Sequence, residues 1–123
     1  MAISATRAAL ELEERSDDIT PYEVITLLLD GALERIEQAK LTLACGNTEE
    51  AGELIGKTVG IVNGLRESLD IGRGGELAEN LDSLYDYIVN RLCEAEEDTG
   101  KAILTETSQL LNEIKSGWEG IIV

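Results

Sequence analysis

The chain has 123 residues, 43% of them hydrophobic and 28% charged, which is enough apolar material for one packed domain and argues against wholesale disorder. Its 25 acids stand against 10 bases, and the net charge of −15 excludes the basic face that a nucleic-acid or anionic-membrane binder needs. With no histidine and only two cysteines, it has no serine-histidine-aspartate triad, no histidine-bearing metal site and no CxxC pair.

No run of 18 apolar residues occurs, and the N-terminus lacks a basic segment followed by an apolar one. The expectation is a cytoplasmic protein that inserts into no membrane, binds no nucleic acid, metal or cofactor, and keeps Cys45 and Cys93 as reduced thiols. A single proline, no phenylalanine and abundant leucine, isoleucine, alanine and glutamate predict an all-α domain.

Residues 1–19 read as a conditionally ordered N-terminal arm. Ser4 is a candidate cap for a short helix carrying Ile3, Leu10 and Leu12, and a charged stretch from Arg15 to Asp18 follows. Residues 20–123 read as the domain proper. Thr20, Pro21 and Glu23 form a capping-box start for the first long helix. Ile25, Leu28, Leu29, Ala32, Leu33, Ile36, Ala39 and Leu43 recur there at helical spacing, and Gly46 supplies the stop. Asn47 with Glu50 opens a second helix with Ala51, Leu54, Ile55, Val59, Val62, Leu65 and Leu69 inside. The stretch from Asp70 to Gly75 breaks it. A third helix is expected from about Glu76 to Asp98, with Leu77, Leu81, Leu84, Tyr85, Ile88 and Leu92 inward. Thr99 starts a fourth, with Ile103, Leu110, Leu111, Ile114, Trp118 and Ile121 inward. Rods on the order of 30 to 36 Å, joined by short loops, must run antiparallel, so the predicted fold is an up-down four-helix bundle with a short N-terminal arm.

Three features exceed what a bundle core requires. Gly52, Gly56, Gly60 and Gly64 recur every four residues in the second helix, although each costs about 0.8–1 kcal/mol against alanine there. Measured from Ala51, the row drifts from roughly 100° to about 220° around the helix, away from the core direction. It forms a smooth channel bordered by Glu53, Lys57, Asn63 and Glu67 that lets a partner segment approach closely. Leu27 and Leu41 lie opposite the core stripe of the first helix. Eight acids, from Glu76 to Asp98, are assigned to the third helix against Arg91 alone and read as a solvated face. The glycines of Gly72-Arg73-Gly74-Gly75 read as a turn needing positive φ, since no GKS or GKT follows and Glu76 would repel a phosphate.

The segments TPYEVITLLLDGALERIEQAK (Thr20 to Lys40), LRESLD (Leu65 to Asp70), GGELAENLDSLYDYIVNRL (Gly74 to Leu92) and LLNEIKSGW (Leu110 to Trp118) together resemble the flagellin-specific export chaperone family FliS. The most specific part is SLD followed by GGE, then Asn80-Leu81 and Leu84-Tyr85-Asp86-Tyr87. The resemblance implies an antiparallel bundle that holds the C-terminal segment of flagellin in the cytoplasm, blocks premature polymerisation and delivers the subunit to the flagellar export gate. It places Tyr85, Asp86 and Tyr87 in the matching motif. Tyr85 falls on the core stripe, whereas Tyr87 points to another element or a client. The candidate client-binding residues are Leu27, Gly56, Gly60, Ile61, Gly64 and Tyr87. The alternatives are a diverged bundle adaptor with another client, a bundle that self-associates through the glycine channel, and a carboxylate-only hydrolase using Glu79 or Asp82.

Overall fold

A computed structural model describes residues 20–69 and 71–121. It contains four helices: α1 (Pro21–Ala44), α2 (Thr48–Glu67), α3 (Ile71–Glu94) and α4 (Gly100–Ile121), with no strand among the described residues. The expected all-α bundle is what forms. The N-terminal arm and its Ser4, Ile3, Leu10 and Leu12 lie outside the described residues.

Local chemistry sets the helix ends. Thr20 Oγ1 accepts the Glu23 N–H at 3.2 Å, and Pro21 occupies the first turn, where its missing N–H costs nothing. Gly46 takes φ 81 just beyond α1, the left-handed conformation that closes a helix. Asn47 Oδ1 then accepts the Glu50 N–H at 3.2 Å, and its amide donates to Glu50 Oε2 at 2.8 Å. The break before α3 sits at Gly75, with φ 56 and ψ −134, so regular helix resumes at Glu76 after one turn from Ile71. α3 ends at Glu94, earlier than its charge pattern implies, and Glu96, Glu97 and Asp98 belong to the loop before α4. Thr99 does not cap α4 with its side chain; its hydroxyl turns back to accept the Glu96 N–H at 3.1 Å.

Around the ring, α1 packs on α2 and α4, α2 on α3, and α3 on α4. The pair α1–α2 is the most intimate. Small buried residues (Ala32 and Ala39 on α1, Ala51 and Thr58 on α2) let those two backbones come close. A Cβ at Gly31 of α1 would meet the Ile61 side chain of α2 at 3.8 Å. At the top, Gly100 lies so near α1 that a Cβ there would sit 2.6 Å from Leu43 Cδ2. Leu29, Ile36, Val62, Leu65, Ile88, Leu92, Leu104 and Leu111 are fully enclosed. Two polar side chains share that interior. Thr58 and Thr107 each donate to the carbonyl one turn back (Leu54 O and Ile103 O, both at 2.9 Å), which removes the cost of an orphaned hydroxyl.

The seams are held differently. α4 is tied to α1 by the stacked rings of Tyr22 and Trp118, 5.2 Å apart and 15° from parallel. The Trp118 indole also donates to Tyr22 O at 3.3 Å, and Lys115 pairs with Asp30 at 2.6 Å. α2 is tied to α3 through Arg66, whose guanidinium spans Asp82 (2.6 Å) and Asp86 (2.9 Å).

Leu77, expected inside α3, is 57% exposed. Its periodicity is correct, but the neighbouring helix does not reach it.

Candidate functional site

The glycine row of α2 is an open surface. A methyl group added at Gly52, Gly56, Gly60 or Gly64 would meet no atom within 4 Å. Among the described residues no close approach requires these glycines, and α2 carries their propensity cost without a packing return from them. Gly52 and Gly56 are exposed, while Gly60 and Gly64 are half-buried as the row drifts around the helix.

The other candidates fall into different settings. Leu27 is 53% exposed on the outer face of α1, four residues before Gly31. Ile61 is half-buried: it packs on the core cluster, and its Cδ1 lies beside Gly31. Gly31 and Ile61 thus floor the α1–α2 seam. By helical angle, Gly64 falls on the α1-facing flank of α2's outer surface and Leu27 on the matching flank of α1. Gly56 and Gly60 continue the row outward and upward along α2.

Tyr87 belongs to another seam. Its ring is 43% exposed, and its hydroxyl donates to Glu106 Oε2 of α4 at 2.7 Å. Arg91 completes that cluster, donating to Glu106 Oε1 at 2.8 Å and Glu94 Oε2 at 2.8 Å. Tyr85, one of the motif tyrosines, is buried, and burial pushes its phenol up to about 12, so it stays neutral and serves the core.

The acids of α3 are less solvated in effect than their sequence pattern implied. Asp82 and Asp86 face Arg66 across the α2–α3 seam, and Asn90 donates to Asp86 at 3.3 Å. The Arg66 hydrogen bonds hold the Asp82 carboxyl below its usual range, and those from Arg91 and Tyr87 do the same for Glu106. Both folded-state values are depressed, so each carboxylate contributes stability that is present above its unfolded titration range and lost as pH falls through the folded value. Asp82→Asn and Glu106→Gln should each melt below the wild type at pH 7. That gap should narrow progressively in melts taken stepwise below the ordinary carboxylate range. A gap unchanged at low pH would show that the charges contribute nothing.

Among the described residues no cluster of three or more histidines, cysteines, aspartates or glutamates is arranged to hold a metal. No helix among them is long and apolar enough to cross a membrane. Cys45 and Cys93 are both free and exposed. A general acid of a carboxylate hydrolase needs a raised carboxyl pKa, and Asp82 is shifted the other way. What the described surface offers is open glycine-floored and leucine-marked faces on a helical bundle.

Comparison with known proteins bears on what such a face recognises. The family model described as flagellar protein FliS matches residues 3–123. A flagellar secretion chaperone FliSB of Pseudomonas aeruginosa is 48% identical over 112 residues, covering 91% of this chain and 89% of the relative. The flagellar secretion chaperone FliS of Vibrio cholerae is 36% identical over 83% of this chain and 75% of its own length. That of Salmonella typhimurium is 35% identical over 93% and 85%.

Proposed function

The chain belongs to the FliS family of flagellar secretion chaperones, and from that premise we propose that it binds the C-terminal segment of flagellin in the cytoplasm, prevents premature polymerisation and hands the subunit to the flagellar export gate. Its relatives are chaperones rather than enzymes, and this chain is likewise no enzyme. The role is one of capture and release, with no bond made or broken.

The observation that carries the choice of surface is the empty space over Gly56, Gly60 and Gly64. A helix or extended segment laid along that row approaches the α2 backbone closely, because no side chain of the described residues stands in its way. Ile61 and Leu27 offer apolar contact at its edge, in the manner of helix-in-groove recognition. A segment that folds only on the chaperone pays its ordering entropy at that moment, which lowers affinity per unit area but lets it cover a small protein. Self-association through the same face is disfavoured, since two copies at net −15 each would bring acid against acid.

Isothermal titration calorimetry against a flagellin C-terminal peptide of about 40 residues tests the reading. Binding with a strongly negative heat-capacity change and a gain of helix by circular dichroism is expected. Absence of binding would mean that the fold serves a different client.

A further inference from the structure

The cations of the bundle divide into two groups. Lys40, Arg66, Arg91 and Lys115 form ion pairs with Glu37, Asp82, Glu106 and Asp30 respectively. Among the described residues Arg35 and Lys57 pair with no carboxylate, although the chain carries 25 acids. Lys101 is also without such a pair, but it stands by itself on α4, with Asp98 and Glu106 lining the same hollow. Arg35 and Lys57 border one seam.

A Cβ at Gly31 would lie 3.5 Å from Arg35 Nη1 and 3.8 Å from Ile61 Cδ1, so the guanidinium stands in the α1–α2 seam beside the tip of Ile61. The only hydrogen bond it makes among the described residues runs from Nη1 to Gly31 O at 3.2 Å, within its own helix. Arg35 is half-buried, so its charge has lost part of its hydration without gaining a counter-charge there. The two helices are antiparallel, so the turn above Gly31 on α1 carries Arg35 and the turn above Ile61 on α2 carries Lys57. Lys57 is exposed. Glu53, one turn above it in the order that favours a helical ion pair, makes none with it. Two cations left level on one seam of a chain at net −15 form a place that meets negative charge from outside.

We propose that Arg35, with Lys57 beside it, binds a side-chain carboxylate of the client segment in the α1–α2 seam. This rests on the flagellin reading and names a chemical requirement of the same face: an aspartate or glutamate on the client. The planar fork of Arg35 takes a carboxylate through two parallel N–H···O bonds, and Lys57 adds a point charge. The seam continues past the pair in both directions, down to Leu27 and Gly64 and up the glycine row to Gly56 and Gly52. A client chain therefore passes through instead of ending there, which makes a side chain the source of the carboxylate and not a terminus. On a client helix, an apolar side chain three or four residues from that acid then meets Ile61.

Calorimetry of the full chain against the flagellin C-terminal peptide, and against peptides with each aspartate or glutamate changed to its amide, tests the pairing. Arg35→Gln should reduce affinity about tenfold and Lys57→Gln by less. Neither should lower the melting temperature, because no ion pair among the described residues is lost. One amide peptide should lose about tenfold against the wild type and nothing further against Arg35→Gln. If every amide peptide binds within about twofold of the parent, or loses as much against Arg35→Gln as against the wild type, the site is overturned and the flagellin reading stands. Weakening only on amidation of the peptide's C-terminus also overturns it, and assigns the cations to the client's terminus. Tighter binding by Arg35→Gln overturns it too, and assigns them to an acid of this chain, in residues 11–18 or in a second copy. No binding by the wild type overturns both readings.

Discussion

Replacing Leu104 with alanine should lower folding stability by about 2–5 kcal/mol and the melting temperature by on the order of 10 °C. Leu104 has no solvent exposure and belongs to the enclosed cluster that α1, α2 and α3 also supply. Truncation removes buried methyl groups and leaves a cavity that four packed helices close only in part, so the transfer and cavity costs add. The comparison that gives this meaning is Leu27→Ala. The residue type is the same, but Leu27 is already more than half exposed, and its change should stay within about 0.5 kcal/mol. Urea melts with an unchanged slope would assign the loss at Leu104 to the native packing. A loss under about 1 kcal/mol would mean that the bundle collapses around the hole and that the core is far softer than its burial implies.

Converting Gly52, Gly56, Gly60 and Gly64 together to alanine should raise stability by about 3–4 kcal/mol. The expectation follows from two facts. All four lie in the interior of α2, where glycine loses more backbone freedom on folding than alanine, and an added methyl meets nothing at any of them. Few positions in a natural domain combine helix interior and empty space so fully, and stabilising changes of this kind commonly reduce function where a surface has been kept bare for a purpose. Gly60→Leu tests the purpose directly. It should fold at least as well as wild type and bind the flagellin peptide about tenfold more weakly, because the side chain occupies the space the client backbone needs. Unchanged affinity in calorimetry would refute the α2 channel as a client face. Unchanged stability of the quadruple variant would show that the row carries no propensity cost in this setting.

The positions of the helices, their caps and most of their inward faces were legible in the sequence because each is a local property. Thr20 and Asn47 cap from three residues away, Gly46 stops α1 by its own backbone, and the spacing of Leu29, Ala32, Ile36 and Ala39 marks a buried stripe whatever packs on it. The outward direction of the glycine row and of Leu27 followed from the same arithmetic. The tertiary structure alone decided which acids are paired. Asp82 and Asp86 lie 16 and 20 residues from Arg66, and only the antiparallel turn between α2 and α3 brings them to it. It also decided that Thr58 and Thr107 are interior, since a threonine can satisfy its hydroxyl within its own helix and then pack as an apolar residue. Leu77 is the clearest case. Its period is that of a core residue, yet whether a partner covers it depends on how closely α4 packs on α3, and no local pattern around Leu77 records the approach of a helix so distant in sequence.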